Sequence, residues 1–452
     1  MFKILFFDNR PVEYVRGFKR VMERPVKYAA APLFIADQPW EHGNMQLYGS
    51  VVKAPDGPFQ LWYSTIEPRW WIKLAYAESG DGIVWRKPLL DIYKHGRRKT
   101  NIVLADNTHG SAVIHDETDP HLARRYKLVA GAAPSDCISV FTSPDGVRWS
   151  RLRREPQIPY EPDCPMAFFR KPDGRYVVFH RVRPWGRRIF RSASWDLVHW
   201  DSEPRMILEP GSGDPPQLQF YGMGAAPYGD LEIGTLWAYH TDEEDIGPSK
   251  MLGYQETELA FSRSGYAWHR VDQGNAFIPH GDPGDWDCGN LQCASQPVFL
   301  DDEIRYYFMG TTARHGGHWE LDPQTAGVGF ASIKPDRFVA LAAAKSGSEL
   351  LTVAFALPSD KLFVNTRCGR GGWVKAEVAD VTGKPFRGLT MDDCQPVTGD
   401  ATSHALRWNE QATLPVGERI RLRVQAENAR VYSLFAPDSG ETEPAYWQFR
   451  SV

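Results

Sequence analysis

The chain is short of cysteine, of charge of one sign, of long apolar runs and of helical periodicity, and each shortage excludes something. Six cysteines in 452 residues, Cys137, Cys164, Cys288, Cys293, Cys368 and Cys394, are too sparse for a disulfide framework. None stands in a C-x-x-C pair, which argues against a zinc site. The net charge is -4 with both signs mixed along the chain, which argues against nucleic acid or an anionic membrane as a partner. No apolar run is long enough to span a bilayer. Met1-Phe2-Lys3-Ile4-Leu5 turns polar at Asp8 without the shape of a signal peptide. A cytoplasmic location is therefore the expectation, with a periplasmic or secreted one open if a leader has been removed. Apolar residues at helical spacing are almost confined to Val15–Met22, the one stretch that reads as a helix. The nucleophile-elbow, phosphate-loop, H-E-x-x-H and dinucleotide-binding motifs do not occur in a fitting context.

What the chain has instead is a repeat. Ser79-Gly80-Asp81-Gly82 closes at Trp85, Ser143-Pro144-Asp145-Gly146 at Trp149, Ser194-Trp195-Asp196 at Trp200, and Ser262-Arg263-Ser264-Gly265 at Trp268. A degenerate fifth copy runs from Ser332 through Pro335-Asp336-Arg337 to Phe338. Repeats with a period of tens of residues mark solenoids, propellers or arrays. Between the turns lie β-branched and aromatic runs such as Phe59–Tyr63, Tyr176–Phe179 and Ile304–Phe308, each preceded by an Asp- or Gly-bearing turn. The expected fold is all-β: a five-bladed β-propeller over residues 1–343, with the N-terminal strand Lys3–Phe7 closing the ring, and a C-terminal β-sandwich over 344–452.

In a propeller the innermost strand of each blade lines a central channel, so the polar residues at the start of each such strand are the candidates for chemistry. They include Trp40 and Glu41 in the first blade, His109 in the second, Asp163 in the third, Tyr221 in the fourth, and Trp286 and Asp287 in the fifth. Glu41, Asp163 and Asp287 each precede a largely apolar strand. Carboxylates sharing a partly desolvated cavity push one another's pKa values apart, and glycoside hydrolysis needs such a pair. These three are therefore the expected catalytic residues. Trp40, His109, Arg181, Tyr221, His240 and Trp286 are the expected substrate-binding residues, with no metal and no cofactor implied. Any one of these carboxylates could instead cap a blade entrance. Asp81, Asp145, Asp173 and Asp196 sit inside turns and read as structural. The 16 Trp, 18 Tyr and 23 Phe mostly fit a β-rich core, with some left to stack on sugar rings.

The Ser-x-Asp-Gly-x-x-Trp turns, Asp37-Gln38-Pro39-Trp40-Glu41 and Gly284-Asp285-Trp286-Asp287 resemble bacterial five-bladed propeller glycosidases related to glycoside hydrolase families 32 and 43. The C-terminal stretch, through Gly372–Val378, Gly383-Lys384-Pro385 and Arg421-Leu422-Arg423, is similar to the sandwich appended to those relatives. The resemblance implies an axial pocket with an acid and one or two further carboxylates, and a glycan or glycoside substrate. The chain departs from the family in lacking Asn-Asp-Pro-Asn-Gly, Arg-Asp-Pro and Glu-Cys; His115-Asp116 and Asp119-Pro120 are a distant echo. A non-catalytic glycan-binding propeller and a glycoside phosphorylase are the competing expectations.

Overall fold

A computed structural model describes residues 2–67, 71–132, 137–158, 162–182, 187–242, 252–316, 326–344, 347–409 and 411–438, with backbone alone for Pro162 and Asp163. The fold is all-β: the described residues contain strands and two single-turn 3-10 segments, and no α-helix. They divide into two compact units. One holds Pro25–Leu300 with Ile304–Ser332; the other holds the chain up to Arg24, Asp301–Glu303 and the chain from Ile333 onward.

The first unit is a succession of antiparallel meanders. The first runs through Met45–Lys53, Phe59–Glu67 and Trp71–Ser79, with Ile102–Leu104 outermost. The second is His109–His115, Tyr126–Gly131, Ile138–Ser143 and Ser150–Arg151. The third is Pro162–Arg170, Tyr176–Val182, Ile189–Ser194 and Arg205–Leu208. The fourth is Leu218–Tyr228, Leu231–Thr241, Gly253–Ser262 and Trp268–Arg270. A single parallel bridge, Gln255 to Asn290, leads to the last: Asn290–Cys293, Ile304–Thr311 and Gly327–Ile333. The innermost strands adjoin one another and the last meets the first. Ser111 Oγ donates to Tyr48 O at 2.6 Å, Ala225 N to Ser295 O at 2.8 Å, and Ser295 N to Gly49 O at 2.9 Å. The unit is thus a closed ring with the propeller arrangement.

The repeat builds the outer edge of this ring. In the first copy Ser79 Oγ accepts from Gly82 N at 2.9 Å, and Asp81 Oδ1 accepts from the backbone of Ile83 and Val84, both at 2.8 Å. Those two N–H groups hold the Asp81 carboxyl below its ordinary range. The second and third copies reproduce the bonds through Ser143 and Asp145, and through Ser194 and Asp196. The fourth replaces the carboxylate with Ser264 Oγ. The turn then latches the neighbouring meander: Trp62 Nε1 donates to Gly146 O at 2.7 Å, and Tyr307 Oη to Gly82 O at 2.8 Å. Gly146 has φ +74 and a Cβ there would fall 2.6 Å from the Trp62 ring, so both conformation and space require glycine.

Three sequence expectations fail around the N-terminus. Phe2–Leu5 does not close the ring; it pairs antiparallel with Arg419–Ala436, from Phe2 opposite Ala436 to Leu5 opposite Ser433. Ile4 and Phe6 are drawn into the core of the second unit beside Leu341, Val364 and Leu434, and this long-range burial outweighs any local preference. Ring closure falls to Val26–Lys27 and Phe34–Ile35, which pair with Gly327–Ile333. Val15–Met22 is not a helix. It is split between strands Val12–Arg16 and Phe18–Met22 at Gly17, where φ is +73, and these pair with Ser348–Thr352 and Val339–Ala343. The fifth repeat copy makes no such turn: Asp336 is buried and accepts from Lys3 Nζ at 2.8 Å and Ser433 Oγ at 2.7 Å.

The second unit is organised by Arg419–Ala436, which pairs with Phe2–Leu5, Val339–Ala343, Ser348–Thr352, Phe355–Ala356 and Phe363–Ala379. The expected boundary at residues 343 and 344 therefore cuts through one sheet, because Val339–Ala343 and the N-terminal strands belong to it.

Candidate active site

Four of the innermost strands break register at the same level. The shifts lie between Gln46 and Ser50, His109 and Ser111, Asp163 and Ala167, and Phe220 and Gly222. A bulge inserts an unpaired residue, bends the strand and re-aims its side chain. Here the residues in or beside the bulges are Tyr48, His109, Cys164 and Tyr221, one from each of the first four meanders, and they converge. Tyr48 stacks on Tyr221 with ring centroids 6.4 Å apart and meets His109 edge-on at 6.0 Å. Tyr48, Cys164, Met166, Tyr221, Trp237 and Tyr239 form one buried cluster. The last meander contributes His315, whose backbone bridges Gly253 in both directions, at 2.9 and 3.3 Å.

The polar groups of this axial cluster are interlocked. Tyr221 Oη lies 2.9 Å from His315 Nε2, and Tyr239 Oη lies 3.2 Å from His315 Nδ1. Each imidazole nitrogen thus faces one tyrosine hydroxyl, with the donor and acceptor roles set by the tautomer. The Arg181 guanidinium lies 4.6 Å from the centre of the Tyr221 ring and donates to Tyr221 O at 3.3 Å. Arg187 lies 4.9 Å from the same ring and 5.1 Å from Tyr239, and donates to Gln219 Oε1 at 2.9 Å. Burial, then the neighbouring Tyr221 and Cys164, push the Tyr48 hydroxyl well above its ordinary pKa, so it stays protonated. The cluster presents flat aromatic faces, two cations and an imidazole held between hydroxyls.

Of the nine residues expected at the site, His109, Arg181 and Tyr221 are brought together here. The backbone of Asp163 pairs with Arg181; the Asp163 side chain lies outside the described residues. Glu41 is elsewhere and fully buried. Its Oε2 accepts from Gln38 N at 2.8 Å and from Lys87 Nζ at 2.8 Å, and its Oε1 accepts from Tyr63 Oη. Oε2 closes the capping box of the 3-10 turn Pro39–Glu41, and Oε1 is held by the neighbouring strand through Tyr63. Trp40 is buried beside it, donating to Asn101 Oδ1 at 2.6 Å. Asp287 is buried and accepts from Lys27 Nζ at 2.5 Å. Trp286 stacks on Phe308 with centroids 5.7 Å apart, as packing. His240 pairs with Glu256 Oε1 at 3.1 Å and stacks on Tyr254 at 4.7 Å. Asp116 and Asp119, the distant echo of a family motif, both engage the fully buried Lys127, at 3.2 and 3.0 Å.

Sequence reasoning missed Tyr48, Arg187 and Tyr239, and read His315 as a residue of a glycine-rich loop with substrate or metal binding as the alternative. Tyr48 sits in the apolar run Met45–Val52 and reads as core. Tyr239 is adjacent to His240, and strand parity sends the two side chains to opposite faces, so choosing His240 excluded the residue that reaches the axis.

No protein-family model and no curated protein sequence matches the chain. Among solved structures, a glycosyl hydrolase from Bacteroides ovatus is 14% identical, with a TM-score of 0.47 over 73% of this chain and 98% of that one. The alpha-L-arabinofuranosidase PaAbf62A from Podospora anserina, in complex with cellotriose, is 14% identical, with a TM-score of 0.44 over 73% and 99%. An exo-inulinase from Aspergillus awamori is 12% identical, with a TM-score of 0.43 over 90% and 100%.

Proposed function

We propose that the axial cluster binds a saccharide and that the protein hydrolyses a glycosidic bond there. The observation that carries this reading is the shared level of the four strand bulges, which aim Tyr48, His109, Cys164 and Tyr221 at one point. Such bulges cost ladder bonds, and they recur beside binding sites because they re-aim side chains. The stacked rings of Tyr48, Tyr221 and Trp237 offer an apolar wall for the C–H surface of a sugar. Arg181, Arg187, His109 and His315 offer donors and acceptors for its hydroxyls.

In this mechanism Asp163, on the bulged strand opposite Arg181, is the carboxylate that acts at the bond. Asp287, buried against Lys27 and outside the axial cluster, is the second carboxylate of this reading. One carboxyl protonates the leaving oxygen while the other attacks carbon or activates water. Glu41 takes no part in the chemistry in this reading, because its oxygens are engaged by Gln38 N, Lys87 and Tyr63.

A second reading, phosphorolysis, draws on the two guanidinium groups beside Tyr221, which could hold a phosphate. One experiment separates them. The chain is incubated with aryl glycosides and short oligosaccharides of arabinose, xylose, galactose, mannose and fructose, with and without inorganic phosphate. Turnover without phosphate that Asp163→Asn abolishes supports hydrolysis. Turnover only with phosphate supports phosphorolysis. Full activity in both Asp163→Asn and Asp287→Asn removes the carboxylate assignment.

A further inference from the structure

The second unit contains a cleft of about 760 Å³ that no part of the axial site reaches by sequence or by function. That volume lies within the range of roughly 300–1,000 Å³ of small-molecule sites. Its lining includes Arg370, Trp373, Lys375, Asp392, Thr398 and Gln425, all within the second unit.

The cleft is built by the backbone. Strand Phe363–Ala379 breaks register between Cys368 and Trp373 against Arg419–Ala436. The excursion is pinned where Asn428 Nδ2 donates to Arg370 O at 3.1 Å, and a Cβ on Gly372 would fall 2.2 Å from Asn428 O. On the other side, Val374 and Val397 exchange backbone bonds at 2.9 and 2.8 Å, and Cys368 N donates to Gly399 O at 2.8 Å. The segment Met391–Gly399 is thereby held along the strand as the opposite wall. Val374 and Ala376 point into the core, so by parity Trp373 and Lys375 lie on the other face.

The side chains on that face are largely unengaged. Among the described residues, the Trp373 indole N–H, the Arg370 guanidinium, the Asp392 carboxylate and the Thr398 hydroxyl have no hydrogen-bond or ion-pair partner. Lys375 Nζ has only Met391 O, at 3.4 Å. Gln425 uses its Nε2 on Glu349, at 2.8 Å, and keeps its carbonyl. The cleft therefore couples one flat aromatic side chain with donors and acceptors of both signs. A polyanion would meet Asp392, and an apolar chain would leave the cations and the carboxylate desolvated and unpaired. Hydroxyl groups, which donate and accept at once, satisfy both kinds of partner. We propose that this cleft is a second saccharide-binding site, in which Trp373 stacks on one sugar ring and Arg370, Lys375 and Asp392 hold its hydroxyls.

The test is affinity electrophoresis of the full chain in native gels containing xylan, arabinan, galactan or inulin. Retardation by at least one of these polymers is expected. It should persist in Tyr221→Ala, which disables the axial cluster, and weaken at least tenfold in Trp373→Ala and severalfold in Arg370→Ala and Asp392→Ala. Thermal melting of each variant reports its folding; Arg370 and Asp392 are exposed and decide the matter if Trp373→Ala is unstable. Unretarded migration in all four gels overturns the proposal. So does retardation lost in Tyr221→Ala, which would assign all binding to the axis, or retardation unchanged in the Trp373, Arg370 and Asp392 variants. Hydrolysis plays no part in this readout, so an inactive axial site leaves the outcome intact.

Discussion

Tyr221 and His315, 94 positions apart, share a hydrogen bond of 2.9 Å at the axis of the ring, and Tyr239 holds the other imidazole nitrogen. This fixes the ring plane of His315 and ties the fourth meander to the last. Replacing Tyr221 with Phe keeps the aromatic face and removes only the hydroxyl. A buried hydrogen bond that loses one partner costs about 1–3 kcal/mol. If the axial cluster is the site, kcat/KM per folded molecule on the best glycoside found falls about tenfold or more in Tyr221→Phe, and the melting temperature is lowered by the lost bond. Unaltered kcat/KM would place the chemistry elsewhere.

Glu41→Gln is expected to affect stability and not mechanism. Lys87 is 10% exposed and Glu41 is fully buried, so the amide leaves a buried ammonium with Asp37 as its remaining counter-charge. Breaking one side of a buried pair costs roughly 3 kcal/mol. The denaturant midpoint should drop accordingly, with activity per folded molecule preserved. An unchanged midpoint with lost turnover would restore Glu41 to the catalytic set.

Acid should unfold the ring through Asp116. Burial acts to raise this carboxyl, but hydrogen bonds from Thr118 and Tyr176 and the charge of Lys127 outweigh it and pull it from 3.8 down to about 2. A depressed folded value means that the stabilisation is complete above 3.8 and fades as pH falls toward about 2. Stability measured by urea titration from pH 5 downward should decline over that window. Asp116→Asn should be less stable at neutral pH and show a shallower decline. Parallel curves for the two proteins would remove Asp116 from the account.

The boundary of the second unit can be tested by dissection. A fragment of residues 344–438 lacks Phe2–Leu5, Val12–Arg16, Phe18–Met22 and Val339–Ala343, all of which pair within its sheet. It should show no cooperative melting. Residues 333–438 co-expressed with a peptide of residues 2–24 should recover it. Cooperative melting of the shorter fragment alone would restore the sequence-based boundary.

The propeller was legible because its signals are short-range. Each repeat turn is closed by bonds among a serine, an aspartate or serine, and the next few backbone N–H groups, and the glycines supply positive φ. Such chemistry is written in adjacent letters. The site was legible only in part. His109, Arg181 and Tyr221 could be found by their position in each blade, whereas Glu41 and Trp40 mark the same level of the chain and serve a cap and a core.

The sequence by itself therefore determined an all-β chain of repeated meanders, the turns that join them, and the absence of zinc-type cysteine pairs. Tertiary structure decided the rest. Which sheet receives Phe2–Leu5 depends on a core more than 400 residues away in sequence, where Ser433 and Ala436 lie. Which side chains reach the axis depends on bulges, and a single extra residue reverses the facing of every residue after it. Tyr48 was hidden for that reason: its letter reads as core, and only the bulge turns it toward the axial cluster, whereas Tyr239, on an unbulged strand, was passed over for its neighbour His240.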